Sequence, residues 1–233
     1  MPQEGSGAYV VPTEQERSSF AAAAKALTSG DLATAEEALA AFPGFEVLSL
    51  TDGADGPLYL VIAEKPPLSR GWGFYFFARQ PLRPGLVVEA PHPLADRDSE
   101  LAAARAVSSL RPAAFLLAGA HRYADPAPKS DMAHTSSSIF EAIHEVVSTQ
   151  AGMVVQVHGF SAAGHQGYPD LLLSSGSAEP GATAEAVCNQ VQGGGVGCTL
   201  FNGDPTYAAL GATTNVQGGY SRRTFGAEHF LHF

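Results

Sequence analysis

The heptapeptide Leu86-Val87-Val88-Glu89-Ala90-Pro91-His92 is a mostly apolar run that ends in a histidine, and two later runs have the same design. These runs span residues 114–121 and 153–158, and they end at His121 and His158. Open α/β sheets bind ligands at the carboxyl ends of their strands. We therefore expect the three imidazoles at one edge of a sheet, as candidates for a shared site.

Asp96 follows His92 by four residues, just beyond the first run. A histidine and a carboxylate at short spacing, joined by a distant histidine, is a common ligand set of hydrolytic zinc sites. Asp98 and Glu100 are more simply explained as residues at the start of a helix, where acidic side chains are favoured. Because Asp96 precedes that start, it is predicted to bind metal together with His92 and His158.

The composition is that of an acidic globular chain. Of the 233 residues, 45% are hydrophobic and 15% are charged, and the formal net charge is −10. Phosphate binding needs clustered Lys and Arg, so nucleic acid is not an expected partner. Apolar runs fall short of the roughly 18 to 20 residues of a membrane span, and the N-terminus lacks a signal pattern. We predict a soluble chain without a membrane partner, and its oligomeric state is unknown.

Cys188 and Cys198 lie close together in the sequence. A helix end followed by a strand could bring them within disulfide distance, and two small buried thiols are an equally good interpretation. A disulfide would suit a secreted or periplasmic protein whose export signal was removed, whereas free thiols would suit a cytoplasmic one. Zinc ligation by these cysteines is not expected, since they lack the Cys-x-x-Cys spacing.

Residues 1–44 are predicted to form an N-terminal helical extension, and residues 45–233 an α/β domain. In the extension, Thr13 and Glu16 form a capping-box pattern before an alanine-rich helix, and Asp31 begins a second helix. We expect this helical pair to pack on the main domain. Roles in dimerisation or in substrate entry are the alternatives.

The main domain is predicted to begin as an antiparallel meander and to continue as alternating strands and helices. Turn residues such as Asp52-Gly53-Ala54-Asp55-Gly56-Pro57 separate strands at 45–50, 58–63 and 73–78. The later strands are predicted at 86–90, 113–119, 153–158, 170–173, 197–201 and 228–233, and the helices at 99–109, 138–149 and 181–192. Such alternation implies right-handed crossovers and a mixed, largely parallel central sheet flanked by helices.

Other histidines are assigned by their surroundings. The apolar residues of helix 138–149 fall on one face, which leaves His144 beside Glu141 and Glu145, so His144 is predicted to lie on the surface. His121 could bind metal, carry a proton or orient a ligand, or it could simply hydrogen-bond a loop. Arg122 beside it could hold a carboxylate through paired hydrogen bonds.

The segment 213–226 is poor in apolar residues and rich in hydrogen-bonding groups. It contains Asn215, the pair Gly218-Gly219, Tyr220 and the pair Arg222-Arg223. A Gly-Gly turn with paired arginines in an acidic chain is typical of a loop that binds an anionic substrate. A solvated turn is the alternative.

The order of these motifs resembles that of the zinc carboxypeptidase-like amidohydrolases. The N-formylglutamate amidohydrolases are matched by Ala90-Pro91-His92, Gln156-Val157-His158, and Asn215 with Gly218-Gly219-Tyr220. The phage poly-γ-glutamate hydrolases are matched by His92, Asp96 and Ser99-Glu100-Leu101. The resemblance covers residues 86–233, and it implies a fold of the zinc carboxypeptidase, or phosphorylase/hydrolase-like, kind.

The resemblance implies a zinc-dependent hydrolase that cleaves an amide bond in a small carboxylate-bearing substrate. An N-acyl amino acid, a γ-glutamyl peptide or a cell-wall peptide would be such a substrate. Zn²⁺ would be held by His92, Asp96 and His158. The residues expected to bind the substrate are His121, Arg122, Asn215, Tyr220, Arg222 and Arg223.

In these families a glutamate on the closing strand passes a proton from water to the leaving nitrogen. The closing segment 227–233 offers Glu228 for this task, and the alternative is a base beyond Phe233. A catalytically inactive binding module for an anionic peptide or metabolite is the second hypothesis. A third is an iron oxygenase with two histidines and one carboxylate, but such sites usually lie in all-β barrels, and the alternating strands and helices disfavour it.

Overall fold

A computed structural model describes residues 1–51, 56–126, 128–161 and 163–233. The described helices are α1 (Glu14–Thr28), α2 (Leu32–Leu39), α3 (Ser99–Leu110), α4 (Ile139–Ser148), α5 (Ala182–Gly193) and α6 (Val216–Phe225). The described strands are β1 (Phe45–Thr51), β2 (Leu58–Glu64), β3 (Phe74–Ala78), β4 (Arg83–Ala90), β5 (Pro112–Leu117), β6 (Met153–Gln156), β7 (Leu171–Leu173), β8 (Cys198–Leu200) and β9 (Phe230–His232). The predicted turn at 52–57 lies, apart from Gly56 and Pro57, outside the described residues.

The central sheet is mixed, and its strand order is β1-β2-β3-β5-β4-β6-β9. The first three strands form the predicted antiparallel meander, and β3 pairs antiparallel with β5. The four strands β5, β4, β6 and β9 run parallel to one another. The predicted α/β class, with a mixed sheet flanked by helices, is therefore confirmed. Its parallel half brings the carboxyl ends of β4, β6 and β9 side by side.

Helices cover both faces of this sheet. On one face, Phe20 of α1 and Phe140 of α4 share a buried cluster with Tyr75, Leu116 and other strand residues. On the other face, Ala103 and Val107 of α3 pack against Val88, Phe115 and Val61. Because apolar side chains of the strands are buried on both sides, runs such as 86–90 are nearly continuous in hydrophobicity.

Residues 1–44 contribute to the main core. The predicted capping box at Thr13 and Glu16 begins α1, with both reciprocal hydrogen bonds formed. Phe20 is fully buried, and its ring meets the rings of Phe45 and Trp72 edge-on at centroid distances of 4.8 and 5.4 Å. The helical pair therefore packs on the main domain.

The segment 213–226 differs from the sequence prediction. It was expected to form a loop with a Gly-Gly turn, but residues 216–225 form helix α6 with Asn215 as its N-cap. The Asn215 side chain accepts a hydrogen bond from Gly218 N at 2.8 Å. A Cβ on Gly218 would lie 2.7 Å from the Phe230 ring, so this glycine permits close packing of α6 on β9.

The prediction for His144 is wrong. Its side chain is fully buried, because Glu89 of the adjacent strand β4 lies 2.7 Å from its Nδ1 atom. Glu141 is buried as well, whereas Glu145 is exposed. The amphipathic pattern treated polar residues as solvated and could not detect a polar partner buried beneath the helix.

Cys188 and Cys198 form a disulfide that joins α5 to β8. The sequence allowed either a disulfide or two free buried thiols, and the structure has the disulfide. Strand β8 pairs only with β7 among the described strands, in a separate two-stranded parallel sheet. Among the described residues, no helix has the length and apolar character needed to cross a membrane.

Candidate metal site

The first histidine and the carboxylate are brought together by a turn that follows β4. The backbone N–H of Asp96 donates to the carbonyl of His92 at 2.9 Å, which folds the chain back on itself. Strand β6 lies next to β4 and parallel to it, and His158 follows its end just as His92 follows the end of β4. The fold thereby places both imidazoles at the same sheet edge, as expected for parallel strands.

Three ligand atoms converge at this edge. Oδ2 of Asp96 lies 2.9 Å from Nδ1 of His158 and 3.3 Å from Nδ1 of His92. One ligand atom from each of the three residues can be chosen so that all lie within 4.8 Å of one another. The two imidazole rings meet edge-on at a centroid distance of 4.8 Å. This spacing fits one metal ion bound by two nitrogens and one oxygen.

The opposite nitrogen of each ring also has a partner. Nε2 of His92 lies 2.8 Å from Oδ1 of Asp131, and Nε2 of His158 lies 2.9 Å from Oε1 of Gln156. Both partners are oxygen acceptors, so an imidazole that carried its hydrogen on Nε2 would turn its Nδ1 lone pair toward Asp96, as a metal ligand does. Three acceptors facing one another repel unless a cation lies between them. The donor set therefore fits a bound cation.

Arg122 places a positive charge beside Asp131 and His92. Its Nε and Nη2 atoms donate to Oδ2 of Asp131 at 3.2 and 2.6 Å, and its Nη1 lies 3.3 Å from Nδ1 of His92. His134 contacts the other oxygen of Asp131 at 3.0 Å. The Arg122 side chain keeps 22% of its surface exposed, so it remains accessible at the edge of the cluster.

The pKa shifts favour ionised carboxylates and a neutral His158, which are the forms that bind metal. Burial alone would raise the pKa of Asp96, but hydrogen bonds with His158 and His92 bring it well below its usual value. The pKa of Asp131 is likewise lowered, against the effect of burial, by His134, His92 and Arg122. Burial lowers the pKa of His158 to about 4. Burial would also lower the pKa of His92, but its hydrogen bonds to Asp131 and Asp96 raise it overall.

A buried polar network lies behind His158. The side-chain amide of Gln156 contacts Glu89, Asn215 and Gln217, and all four side chains are buried. Gln217 continues the network by donating to Oε2 of Glu141 at 2.7 Å. Because each polar group here has a partner, the network can hold the site without the cost of unsatisfied burial.

A cavity of about 400 Å³ opens beside the cluster formed by His92, Asp96 and His158. His158 and His232 both line this cavity, and their ring centroids lie 4.4 Å apart. Most of the remaining lining is aromatic or aliphatic, and it includes Phe160, Tyr168, Leu172 and Leu210. Asp170 is the one acidic residue among the described lining residues, which include no Lys or Arg. A small apolar group could bind there.

Of the residues predicted to bind substrate, Arg122 contacts His92. Asn215 and His121 make their hydrogen bonds to other groups. Asn215 is buried, and both ends of its amide are used, by Gly218 N and by Gln156. His121 is half-buried, and its Nδ1 accepts a hydrogen bond from Tyr123 N. The Asn215 amide thus links α6 to Gln156, and a role for it in binding substrate stays a prediction.

The other predicted residues lie on α6 or at its end. The Tyr220 ring packs against His144, and Arg222 donates to the carbonyl of Ser175 at 3.3 Å. Arg223 is exposed. Glu228 accepts hydrogen bonds from Ala182 N and Thr183 N at the start of α5. Hydrogen bonds from the side chain and backbone of Thr183, and from Ala182 N, lower the pKa of Glu228. The structure thus gives Glu228 a helix-capping function and does not bring it to the cluster.

Sequence reasoning missed Asp131, Gln156 and His232 as members of the site. Gln156 and Glu89 are polar residues inside otherwise apolar runs, and such an interruption is a signal of a buried polar network. Asp131 lies in a loop, where sequence does not distinguish a histidine partner from a solvated carboxylate. His232 is the β9 residue in register with Gln156, a relation that only strand pairing reveals.

No protein-family model matches this sequence, and no curated protein does. Among solved structures, the chain is similar to a mutant tomato leucine aminopeptidase, with a TM-score of 0.39 and 10% identity over 93% of this chain. It is also similar to an aspartoacylase family protein from Mesorhizobium loti, with a TM-score of 0.41 and 13% identity over 82% of this chain. The matches span 54% and 60% of those two chains. Similarity at this level does not assign a family.

Proposed function

We propose that this protein is a zinc-dependent hydrolase that cleaves an amide bond in a small carboxylate-bearing substrate. The observation that carries the proposal is the approach of His92 Nδ1 and His158 Nδ1 to a single oxygen of Asp96. Two histidines and one carboxylate are a common ligand set of catalytic zinc, in which water or substrate takes the fourth position. Bound zinc would activate that water and polarise the scissile carbonyl.

The surroundings of the site support a substrate with two kinds of group. Arg122 is held by Asp131 at the edge of the cluster, and a guanidinium in that place suits a substrate carboxylate. The cavity on the other side of His158 suits an aromatic or aliphatic group, because Phe160, Tyr168 and Leu210 line it. An N-acyl amino acid or a γ-glutamyl or cell-wall peptide with one apolar group combines these features.

Proton transfer is assigned to His232 in this proposal. Its ring lines the cavity next to His158, and its Nδ1 atom is buried without a hydrogen-bond partner among the described residues. Glu228 is less suited, since its carboxylate is held by the N-terminus of α5. Burial lowers the pKa of His232 well below its usual value, so the imidazole is neutral and is able to accept a proton.

The position of Glu228 also favours a second candidate function. A chain that keeps the metal ligands and the cavity, but whose Glu228 is held at α5, could bind an anionic peptide or metabolite without cleaving it. Ligand-dependent thermal stabilisation without turnover would distinguish this binding module from the hydrolase, because a bound ligand raises stability by mass action.

Metal analysis of the purified protein tests the proposal most directly. We expect one zinc per chain that survives dialysis, and its loss in His92→Ala. His165→Ala is the matched control, since His165 lines the same cavity and does not contact Asp96 in the described structure. Failure of the wild-type protein to bind any divalent metal would exclude the zinc hydrolase.

The zinc-loaded protein would then be assayed for release of free amine from N-acyl amino acids, γ-glutamyl peptides and cell-wall peptides. We expect turnover of at least one class, and loss of turnover with retained zinc in His232→Gln. Stoichiometric zinc with binding but no turnover across the whole panel would favour the binding module.

An oxidising compartment is part of the proposal. The disulfide between Cys188 and Cys198 supports it, because disulfides are rare in proteins of the reducing cytosol. Detection of the protein in a secreted or periplasmic fraction, with the disulfide intact, would test this location.

A further inference from the structure

We propose that the groove between α1 and α4 binds a free amino acid, with Arg17 holding its carboxylate and Glu141 holding its ammonium group. The described residues that line this groove include none of the three proposed metal ligands. The proposal therefore goes beyond the hydrolase function and does not depend on it.

The groove lies where α1 and α4 pack together, and small side chains leave room for it. Ala21 of α1 and Ala142 and Val146 of α4 line it, and its volume is about 550 Å³. This volume is in the range of small-molecule binding sites. The charged residues of the lining are Glu14, Arg17 and Lys25 on α1, and Glu141 and Glu145 on α4.

A cation of α1 and an acid of α4 stand opposite each other without pairing. Gln150 Nε2 donates to Thr28 Oγ1 at 3.1 Å, so the carboxyl ends of the two helices meet and the helices run in the same direction. At a rise of about 1.5 Å per residue, Arg17 lies about 16 Å back from that end and Glu141 about 13 Å back. Among the described residues, no ion pair joins Arg17 to Glu141. A ligand with both charges fits between them.

Glu141 is a buried carboxylate with an oxygen to spare. Its side chain is 4% exposed, and its Oε2 accepts a hydrogen bond from Gln217 at 2.7 Å. Its Oε1 has no hydrogen-bond partner among the described residues, although the residue lines the groove. A buried carboxylate is costly unless a cation accompanies it, and burial accordingly raises the pKa of Glu141 to about 7. An ammonium group beside Oε1 supplies that cation.

Arg17 is the group that matches the ligand carboxylate. Its Nη1 donates to the carbonyl of Pro12 at 2.9 Å, and no carboxylate among the described residues pairs with its guanidinium. A guanidinium binds a carboxylate through two parallel hydrogen bonds. An α-amino acid carries its carboxylate and its ammonium group on one carbon atom, so one small molecule satisfies both sides of the groove. Its side chain then lies over Ala21 and Ala142.

Titration with L-leucine, L-lysine and L-glutamate tests the proposal. The three side chains differ because Lys25 and Glu145, as well as apolar residues, line the rest of the groove. None of the three amino acids contains a peptide bond that a hydrolase could cleave. Binding is measured by shifts of the backbone ¹H–¹⁵N NMR signals of Ala21 and Ala142. We expect at least one amino acid to bind, equally well with and without added zinc.

The two charges of the ligand are tested with analogues that lack one of them. For leucine these analogues are 4-methylpentanoate, which lacks the ammonium group, and 3-methylbutylamine, which lacks the carboxylate. The corresponding analogues of lysine and glutamate serve if one of those binds instead. Each analogue should bind roughly tenfold more weakly than the amino acid, because one charge-assisted contact is lost.

Glu141→Gln and Arg17→Gln should each weaken binding of the amino acid roughly tenfold for the same reason. Glu37→Gln on α2 and Arg105→Gln on α3 are the matched controls, because they remove the same charges at exposed positions outside the groove. Both controls should bind as the wild type does. If Arg17→Gln fails to fold, Glu141→Gln decides alone, since it replaces a costly buried charge by an amide of similar shape.

The proposal is overturned if none of the three amino acids shifts the signals of Ala21 and Ala142, or if the folded variants bind as tightly as the controls. Binding that requires zinc and shifts the signal of Arg122 instead would assign the amino acid to the metal site and also overturn it. A protein that binds the amino acid in the groove but binds no zinc would overturn the proposed function alone.

Discussion

Nδ1 of His158 lies 2.9 Å from Oδ2 of Asp96, although the two residues are 62 positions apart in the chain. A turn after β4 supplies the carboxylate, and the end of the adjacent parallel strand β6 supplies the imidazole. His92 joins them from the start of the same turn. The site therefore depends on the pairing of β4 with β6 as much as on its own residues.

The carboxylate behind His92 is expected to tune metal binding. In Asp131→Asn the hydrogen-bond acceptor for His92 Nε2 can persist, but the negative charge that makes the imidazole more basic is lost. We expect zinc affinity to fall roughly 10- to 100-fold, as for other partners of metal-binding histidines. The change is measured by chelator competition. Asp98→Asn, on the exposed turn before α3, should bind zinc as the wild type does; equal affinities in the two variants would contradict the assigned role of Asp131.

The cavity is expected to determine which apolar group is accepted. Phe160→Ala removes one aromatic wall beside His158. An aromatic contact contributes about 1 kcal/mol, so kcat/KM for a substrate with an aromatic group should fall several-fold, while that for an alanine-sized analogue should change little. Kinetics of the two substrates on both proteins measure the difference. Equal losses for both substrates would show that the ring acts on the site in general and not on this group.

Burial raises the pKa of Glu141 from 4.5 to about 7, against the opposing effects of His144 and Gln217. The folded state therefore keeps a proton that the unfolded state loses above pH 4.5, so the stability of the protein falls as the pH rises from 4.5 to about 7 and stays at the lower value above that. A shift of this size corresponds to about 3 kcal/mol. Relative to wild type, Glu141→Gln should gain up to that amount between pH 4 and pH 8, as measured by urea unfolding.

Glu145→Gln is the control for this measurement, because Glu145 is exposed on the same helix. Its stability should follow the wild-type pH dependence. Parallel pH curves for wild type and Glu141→Gln would disprove the raised pKa.

The N-terminal helices are expected to be indispensable for stability. Phe20 of α1 is fully buried against Phe45 and Trp72, so Phe20→Ala should cost about 3–5 kcal/mol through lost burial and a residual cavity. Ser18→Ala, an exposed change on the same helix, should cost little. Thermal and urea unfolding measure both. A loss below 1 kcal/mol in Phe20→Ala would mean that α1 does not belong to the core.

The disulfide is expected to stabilise the region of α5 and β8. Replacing Cys188 and Cys198 together by serine opens a loop whose ends are 10 residues apart, and a loop of that length is worth about 2–3 kcal/mol. Urea unfolding under oxidising conditions measures this loss. Reduced wild-type protein should show a similar loss; if the oxidised wild type is no more stable than the serine variant, the bond does not contribute as stated.

Much of the fold could be predicted from local sequence patterns. Turn residues and apolar runs marked the meander at β1–β3 and the alternation that follows, because strand and helix periodicity depend on near neighbours. The capping box at Thr13 and Glu16 is local in the same sense. Helix α6 was missed for the converse reason. Its Gly218-Gly219 pair suggests a turn, whereas Gly218 is needed because α6 packs closely on Phe230 of β9, a tertiary contact that the local pattern does not show.

The residues of the site also fall into those that the sequence predicted and those that only the tertiary structure revealed. The sequence by itself determined that His92 and His158 follow apolar runs and that Asp96 follows His92, since these are properties of the order of residues. Only the tertiary structure decided that Asp131 and Gln156 stand behind the two imidazoles, that His144 is buried on Glu89, and that Glu228 caps α5. Hydrogen bonds between segments depend on strand order and helix packing, and a buried polar side chain looks the same in sequence as a solvated one.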